Sequence, residues 1–284
     1  MSHFSSMPRA VSRSLNEPRA AAVAFVLLGA CLVLSGCAHN AEAPDTGPIR
    51  AAESEDLRAY KAEFDRALGP TVEGRASLAR FLEEVANADV LLIGDYHTDR
   101  AYHRRVPPLL GRVTERVGPL LLVVEFLRRE DSEDLARYLE GELSLDGLAR
   151  RSRARSPRCW LTSSSLDSRG FAAILAQARE RGWLVYPVED VDQLPLRQRD
   201  AMIASRARAI LERHRGHFPV VFYGQAHLLG RGRLRERLAL DAVTVLPRPP
   251  RSLLDDTAIR DGGLQRIREG VFYLGPGADP SLGL

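Results

Sequence analysis

The sequence contains little cysteine, almost no lysine and no apolar stretch long enough to cross a membrane as a helix. Only 3 of its 284 residues are cysteine, and Lys61 is the single lysine among 40 basic residues. The longest uncharged apolar stretch, Ala20 to Leu34, covers about 15 residues, whereas a spanning helix needs roughly 20. These absences argue against a disulfide-rich scaffold and against an integral membrane protein.

The charge balance argues against nucleic-acid binding. The formal net charge is +3, and it falls to about +1 without the first 36 residues, which contain three arginines and one glutamate. The excess of arginine over lysine is more typical of a GC-rich genome than of a phosphate-binding surface. We therefore interpret the arginine cluster at residues 150–158 as a solvated loop and expect no nucleic-acid partner.

The N-terminus has the pattern of an export signal. Three arginines between residues 9 and 19 precede the apolar stretch, and Leu34-Ser35-Gly36-Cys37 follows it. This pattern resembles the lipobox of bacterial lipoproteins, in which the cysteine is diacylated and becomes the new N-terminus. It implies a lipid anchor on Cys37 in the cell envelope, in the outer membrane because Ala38 does not resemble an inner-membrane retention signal. The alternative is an ordinary cleavable signal peptide or a short anchor.

The rest of the chain is expected to form one domain behind a tether. Residues 1–36 are the expected signal peptide, residues 37–53 a small, polar, lipidated tether, and residues 54–284 the domain. Cys159 would then be a lone thiol, so the mature protein forms no intrachain disulfide. We interpret Cys159 as a small packed hydrophobic residue.

Apolar periodicity predicts the fold. Two amphipathic helices come first, with stripes of Leu57, Tyr60, Phe64 and Leu68 and of Leu78, Phe81, Leu82 and Val85. Short apolar runs follow, and the predicted strands are Val90–Ile93, Leu120–Val124, Trp183–Val188, Val220–Tyr223, Ala242–Leu246 and Val271–Leu274. The predicted helices between and after them cover about 100–117, 131–140, 170–181, 196–214, 231–239 and 256–269. Continuous apolar runs indicate strands covered on both faces, so we expect an α/β fold with a mostly parallel central sheet and helices on both faces. The segment 141–169 is less regular and is interpreted as a lid or an insertion.

Polar residues end four of the predicted strands. Gly94-Asp95-Tyr96-His97 ends the first, Glu125 the second, Glu189 the third and Gly224-Gln225-Ala226-His227 the fourth. Because parallel strands bring their carboxyl ends to one edge of the sheet, we expect two histidines and at least two carboxylates to converge there. The glycine three positions before each histidine is expected to let the chain turn sharply out of its strand.

Such a cluster permits two kinds of chemistry. His97, Asp95, Glu125, Glu189 and His227 are suitable ligands for a divalent metal ion. Alternatively, His97, Glu125 and His227 act as general base and general acid on a hydrolysable substrate. The sequence lacks a HExxH element, a motif that would have strongly indicated a metal-dependent hydrolase.

The other histidines and tyrosines are weaker candidates. His103 lies six residues after His97 and is either a ligand in the same pocket or a surface residue. Tyr96 either supplies a phenolate ligand to haem iron or packs against neighbouring side chains. His214 and His217 lie near a helix end, where they favour the C-terminal dipole.

Four short segments together resemble a known family. Gly94-Asp95-Tyr96-His97-Thr98, Glu125-Phe126, Arg199-Asp200-Ala201-Met202 and Gly224-Gln225-Ala226-His227-Leu228 are similar to the ChaN-like proteins. Their wider superfamily includes the Tiki and TraB proteins and, more distantly, the erythromycin esterases. The resemblance covers about residues 75–274, and many relatives have Glu where this chain has Asp95.

The resemblance implies a function and a set of site residues. ChaN-like proteins are described as haem-binding, iron-regulated outer-membrane lipoproteins, whereas Tiki relatives are metalloproteases and erythromycin esterases hydrolyse a lactone. The positions carried over as the site are His97, Glu125 and His227, with Tyr96 and His103 as further haem-ligand candidates and Asp200 as a partner that orients a histidine.

Three hypotheses follow. The first is a lipoprotein that binds haem or iron for uptake, with a homodimer enclosing the cofactor. The second is a metal-dependent hydrolase, either a Tiki-like protease or an esterase. The third is a degenerate member of the family that only binds a partner.

Overall fold

The structure is a computed structural model that describes residues 55–70, 72–190, 194–249 and 263–275. The expected signal peptide and the whole expected tether, including Cys37, lie outside the described residues. Within them, no helix is long and apolar enough to cross a membrane.

The described chain alternates helices and strands. The helices are α1 (Glu55–Leu68), α2 (Leu78–Ala86), α3 (Arg100–His103), α4 (Val106–Val117), α5 (Ser132–Leu139), α6 (Leu145–Arg155), α7 (Ser168–Arg181), α8 (Leu196–Arg213) and α9 (Leu234–Leu238). The strands are β1 (Gly74–Arg75), β2 (Val90–Asp95), β3 (Leu120–Arg128), β4 (Leu184–Glu189), β5 (Phe218–Gly224), β6 (Ala242–Leu246), β7 (Leu264–Arg268) and β8 (Val271–Leu274).

The strands form one sheet in the order β1-β7-β8-β6-β2-β5-β3-β4. The five strands from β6 to β4 run parallel to their neighbours, and β8 is parallel to β6. Among the strands that the structure describes, β7 runs opposite to the others and pairs antiparallel with β8 on one side and with β1 on the other. The central strands therefore end at one edge of the sheet, as expected for a mostly parallel α/β fold.

Two apolar clusters cover the two faces of this sheet. Within β3, Leu120, Leu122 and Val124 belong to one cluster, and Leu121 and Val123 belong to the other. The first cluster contains side chains from α2, α4, α5, α6 and α7, whereas the second contains side chains from α1, α8 and α9. Burial on both faces explains why the central strands are continuous apolar runs, and it confirms the predicted helices on both sides.

The structure departs from the sequence-based elements in several places. The helix predicted at 256–269 is wrong over residues 264–268, which form β7, and its first part, residues 256–262, lies outside the described residues. Leu264 and Ile267, three positions apart, also fit a helix, but pairing with β8 satisfies their backbone groups within the sheet. The helix predicted at 100–117 is divided into α3 and α4, and that predicted at 231–239 is the shorter α9. The segment 141–169 contains α6 and the start of α7.

Candidate functional site

The carboxyl ends of β2, β3 and β5 bring the predicted polar residues together. Asp95, the last residue of β2, is in register with Gly224, the last residue of β5. On the other side of β5, Val124 of β3 is in register with Phe222, which places Glu125 beside Gly224. The Glu125 carboxylate accepts a hydrogen bond from the Gly224 backbone N–H at 2.7 Å.

Gly224 lies at the centre of the site. A methyl group on its α-carbon would lie 3.2 Å from Oε2 of Glu125, 3.3 Å from Cδ2 of His227 and 3.5 Å from Cε1 of His97. Because both imidazole carbons lie this close to one point, they are at most about 7 Å apart. The structure therefore brings His97, Glu125 and His227 to one place, although they come from different segments.

His97 is oriented by Asp95. Its Nδ1 lies 2.7 Å from Oδ2 of Asp95, whose side chain is almost fully buried. Burial alone would lower the pKa of His97, but the hydrogen bond to Asp95 and the charges of Glu125 and Asp95 outweigh it, so the pKa is raised. With the Nδ1 proton held by Asp95, the Nε2 of the neutral ring carries the free lone pair.

His103 lies behind Asp95 and is completely buried. Its Nε2 lies 2.6 Å from Oδ1 of Asp95, and its Nδ1 lies 3.0 Å from Oδ2 of Asp167. Burial opposes the charged imidazolium, but these two carboxylates raise the pKa of His103. Burial likewise opposes the ionised form of Asp95, and hydrogen bonds with His103 and His97 nevertheless lower its pKa. Because both ring nitrogens of His103 are engaged and unexposed, the structure does not offer this residue as a haem ligand.

Arg199 of α8 joins the two predicted glutamates. It donates to Glu125 at 2.8 Å and to Glu189 at 2.9 and 2.6 Å. The Tyr223 hydroxyl donates a further, very short hydrogen bond to Glu189. Burial alone would lower the pKa of Arg199, but the charges of Glu125, Tyr223 and Glu189 raise it. Arg199 is therefore a fixed cation between two buried carboxylates.

The metal set predicted from the sequence is not supported. Among the described residues, no group of three or more histidines, cysteines and carboxylates is arranged to hold a metal ion. The hydrogen bonds explain why: Asp95 accepts from two imidazoles, Glu125 from Gly224 and Arg199, and Glu189 from Arg199 and Tyr223. Their oxygen atoms are thus committed within the protein.

His227 is oriented by Asp200 of α8, as expected from the sequence. Its Nδ1 lies 2.6 Å from Oδ1 of Asp200 and 2.7 Å from the hydroxyl of Tyr60 in α1. The same Tyr60 hydroxyl donates to Oδ2 of Asp200 at 2.6 Å. Each site histidine therefore has a buried aspartate on its Nδ1, which fixes the orientation of the ring.

A cavity of about 230 Å³ opens beside these residues. Its lining is His97, Glu125, Phe126, Arg128, Asp131, Ser152, Arg158, Cys159, Trp160, Glu189 and Arg199. Trp160 packs against the ring of His97, with 4.4 Å between the ring centroids. Cys159 is a buried free thiol, in agreement with its predicted packing role. Arg158 lines the cavity although the sequence placed it in a solvated cluster.

Tyr96 lies outside this cavity, next to His97. Its side chain is exposed, and the guanidinium carbon of Arg248 lies 3.5 Å from the centre of its ring. The neighbouring His97 side chain is 37% exposed. Tyr96 and His97 therefore form an accessible phenol and an accessible imidazole at the rim of the site.

The two glycines that precede the histidines have a different role from the expected one. Neither Gly94 nor Gly224 has a positive φ, so the turn does not require glycine. A methyl group on Gly94 would lie 2.9 Å from Cβ of Gln225, and one on Gly224 would meet the three site side chains. Space, rather than backbone freedom, explains both residues.

Four residues of the site were not assigned a role from the sequence. Tyr60 belonged to the apolar stripe of the first helix, and Arg199 was noted only as part of a family motif. Asp167 and Trp160 lie in the segment that had no regular pattern. The apolar stripe that contains Tyr60 predicts that its side chain is buried, but it does not predict a contact of its hydroxyl group. No local sequence pattern identifies any of the four as a residue of the site.

Residues 81–187 match the family model described as haem-binding uptake, Tiki superfamily, ChaN. The matched part contains Asp95, Tyr96, His97, His103 and Glu125, whereas Asp200 and His227 lie beyond it. The match confirms the ChaN-like resemblance over these residues. None of the curated proteins compared with the chain matches it.

Solved structures give weaker likenesses. The type III effector HopBA1 is 14% identical with a TM-score of 0.48, over 74% of this chain and 100% of the effector. ChaN of Campylobacter jejuni, described with cofacial haem binding, is 9% identical with a TM-score of 0.43, over 61% of this chain and 86% of that one. The toxin effector domain RRSP from Vibrio vulnificus is 20% identical with a TM-score of 0.45, over 67% of this chain and 41% of that one.

Proposed function

We propose, from the premise that residues 81–187 belong to the ChaN-like family, that this chain binds haem at the rim formed by Tyr96 and His97. The family match carries this proposal, because the haem-binding uptake family covers the part of the chain that supplies both rim residues. We further propose that the protein serves iron uptake.

The chemistry of the rim fits haem. Phenolate and imidazole are both known axial ligands of haem iron. Trp160 and Phe126 give the neighbouring wall aromatic surface for a flat ring, and Arg128 and Arg158 provide cations for its carboxylates. Tyr96 and His97 would hold the haem from one side, and its iron would supply redox and ligand-exchange chemistry when bound.

The size of the site favours a ligand that lies across the opening. The cavity of about 230 Å³ is smaller than the 300–1,000 Å³ that is typical of pockets for small molecules. A ring held at the rim would leave one face uncovered, and a second copy of the chain is the simplest cover. We therefore propose a haem-linked homodimer, which should appear as a doubling of mass when hemin is added.

Hemin titration of the purified protein tests this function. We expect a shift of the Soret band with saturable binding, and binding at least 10-fold weaker in the Tyr96→Phe and His97→Ala variants. The matched control is His217→Ala, because His217 directly precedes β5, at the opposite end of that strand from Gly224. Absence of a Soret shift, or equal binding by all variants, would contradict the proposal.

A second candidate is a hydrolase that uses the two histidines as acid and base. The observation that favours it is the pair of aspartate-oriented imidazoles that, together with Glu125, approach the α-carbon of Gly224. One neutral ring would accept a proton from the attacking water while the other, protonated, donates to the leaving group.

Hydrolysis of a chromogenic ester tests this candidate separately. The hydrolase predicts turnover that is reduced at least 100-fold in His97→Ala and in His227→Ala and unchanged in His217→Ala. Turnover that a chelator abolishes would support the metal-dependent form. No turnover above that of the His97→Ala variant argues against this candidate and leaves haem binding unaffected.

The location is proposed from the sequence alone. We propose that Cys37 carries the lipid anchor and that the protein resides at the outer membrane. Mass spectrometry of the N-terminal peptide from membrane fractions should find a diacylated Cys37, and Cys37→Ser should move the protein to the soluble fraction. An unmodified N-terminus at another residue would contradict it.

A further inference from the structure

Helix α1 supplies a side chain to the site, although it lies outside the family match at residues 81–187. Tyr60 is 5% exposed, and its hydroxyl lies 2.6 Å from Oδ2 of Asp200 and 2.7 Å from Nδ1 of His227. Phe64 and Leu68 pack on the same face of the sheet as α8 and α9. Helix α1 therefore contacts the site through the hydroxyl group of Tyr60, and apolar side chains of the same helix pack beside this contact.

The donors and acceptors of this contact can be assigned. An ionised carboxylate only accepts, so the single hydroxyl proton of Tyr60 points to Oδ2 of Asp200. Nδ1 of His227 lies 2.6 Å from Oδ1 of the same carboxylate and therefore donates to it. The hydroxyl oxygen of Tyr60 lies 2.7 Å from Nδ1 and shares the same proton as a second acceptor in a bifurcated hydrogen bond. A neutral His227 is consequently protonated on Nδ1, and its lone pair is on Nε2.

Arg233 holds Tyr60 from the other side. Its guanidinium carbon lies 2.9 Å from the centre of the Tyr60 ring, and the side chain is fully buried. Its Nη2 donates to the Tyr60 carbonyl at 3.1 Å and to Glu63 at 3.2 Å, and its Nη1 lies 3.6 Å from Oδ2 of Asp200. Burial lowers the pKa of Arg233 to about 10, so it remains a cation at neutral pH. This positive charge faces both the Tyr60 ring and the Asp200 carboxylate.

We propose that Tyr60 is a positioning residue that, together with Asp200, fixes His227 as the Nδ1–H tautomer. The Cδ2 edge of His227 faces the space at Gly224, and Nε2 is bonded to Cδ2. The lone pair is thereby held on the nitrogen next to the ring carbon that faces Gly224. The role of His227 toward a ligand rests on the proposed function, whereas the tautomer does not.

Imidazole ¹⁵N NMR of the full chain tests the proposal without any ligand. In the wild type, we expect His227 to show the Nδ1–H tautomer. In Tyr60→Phe, we expect a changed Nδ1 shift and a measurable fraction of the Nε2–H tautomer. Tyr102→Phe is the matched control, because Tyr102 is also buried but its hydroxyl has no hydrogen-bond partner in the described structure.

Asp200→Asn provides a second variant if Tyr60→Phe does not fold. It keeps the shape of the side chain but replaces one acceptor oxygen by an NH₂ donor, so it should also raise the Nε2–H fraction. His227 resonances that match the wild type in the variants that fold would overturn the proposal, as would an Nε2–H tautomer in the wild type. Hydrolysis of the chromogenic ester by the same samples should be 3- to 10-fold slower for Tyr60→Phe. A wild type without ester turnover would reject the hydrolase candidate and leave the tautomer result valid.

Discussion

The carboxylate of Glu125 and the backbone N–H of Gly224 form a 2.7 Å hydrogen bond that joins the ends of β3 and β5. Because Gly224 has no side chain, Glu125, His227 and His97 all approach its α-carbon. The site therefore depends on the empty space at Gly224 as much as on the side chains around it.

Gly224→Ala should impair the site more than the fold. The new methyl group would lie 3.2 Å from Glu125 and 3.3 Å from His227, so these two side chains must move by a few tenths of an ångström, whereas its 3.5 Å contact with His97 is an ordinary one. We expect hemin binding to weaken about 10-fold, which corresponds to about 1.4 kcal/mol. Isothermal titration measures this change. Gly216→Ala is the control, because a methyl group there meets no atom within 4 Å; equal hemin affinity in the two variants would contradict the prediction.

Arg199→Leu should strongly destabilise the protein. It would leave the buried carboxylates of Glu125 and Glu189 without their shared cation, and breaking a buried ion pair on one side costs about 3–5 kcal/mol. Urea unfolding at pH 7 measures the loss. Glu189→Gln in the same chain should recover part of it, because one uncompensated charge is removed.

The matched control for Arg199→Leu is the same substitution at Arg197, which lies two residues earlier in α8. Arg197 is largely exposed and pairs with Glu63 at 2.8 Å. Exposed pairs contribute about 0–1 kcal/mol, so Arg197→Leu should have a small effect. Similar losses in the two variants would show that the buried carboxylates do not depend on Arg199.

The sequence predicts where the site lies in the fold better than it predicts the hydrogen bonds and ion pairs between the residues of the site. Hydrophobic runs locate β2, β3, β4 and β5, and parallel geometry then brings the residues that follow them to one edge. Tyr60 and His227, in contrast, are separated by 167 residues, and no periodicity encodes their contact. A charged residue on a helix such as Arg199 is normally solvated, so only the fold shows that it is buried between two glutamates.

The same limit explains the error about His103. Its spacing from His97 places it near the site, but spacing does not show which way a side chain points. The fold directs it inward, between Asp95 and Asp167, where its nitrogens bind carboxylates. The contact with Asp167 depends on α7, which the sequence placed correctly, and on residues just before it that follow no pattern.

Stability should fall as the pH rises through the folded-state pKa of His103. That pKa lies above the ordinary value of 6.5, so the folded protein holds the proton more tightly than the unfolded chain. The stabilisation is fully present below pH 6.5 and is lost as the pH rises above the folded pKa. The lowered pKa of Asp95 affects stability only at acid pH, near and below the ordinary pKa of 3.8. Urea unfolding between pH 6 and pH 9 should therefore show a decline in the wild type.

His103→Gln removes the contribution of His103 to that decline, whereas His97, whose pKa is also raised, still contributes over the same pH range. The variant cannot bind the extra proton, so its unfolding free energy should change less over the same pH range. His217→Gln replaces a histidine at the opposite end of β5 and should retain the wild-type slope. A flat wild-type profile, or the same slope in His103→Gln, would mean that His103 does not carry the effect.

Gly170→Ala should destabilise the protein through His103 and Asp167. A methyl group on Gly170 of α7 would lie 2.5 Å from Oδ2 of Asp167 and 2.8 Å from Cγ of His103, too close for either to stay in place. Overpacking of this kind costs about 1–3 kcal/mol. If the loss arises from displacing His103, then adding Gly170→Ala to His103→Gln should cost less than it does in the wild type, because the contacts of the His103 ring with Asp95 and Asp167 are already absent in that variant. Thermal or urea unfolding of the two single variants and the double variant gives this coupling, and strictly additive losses would place the strain elsewhere in α7.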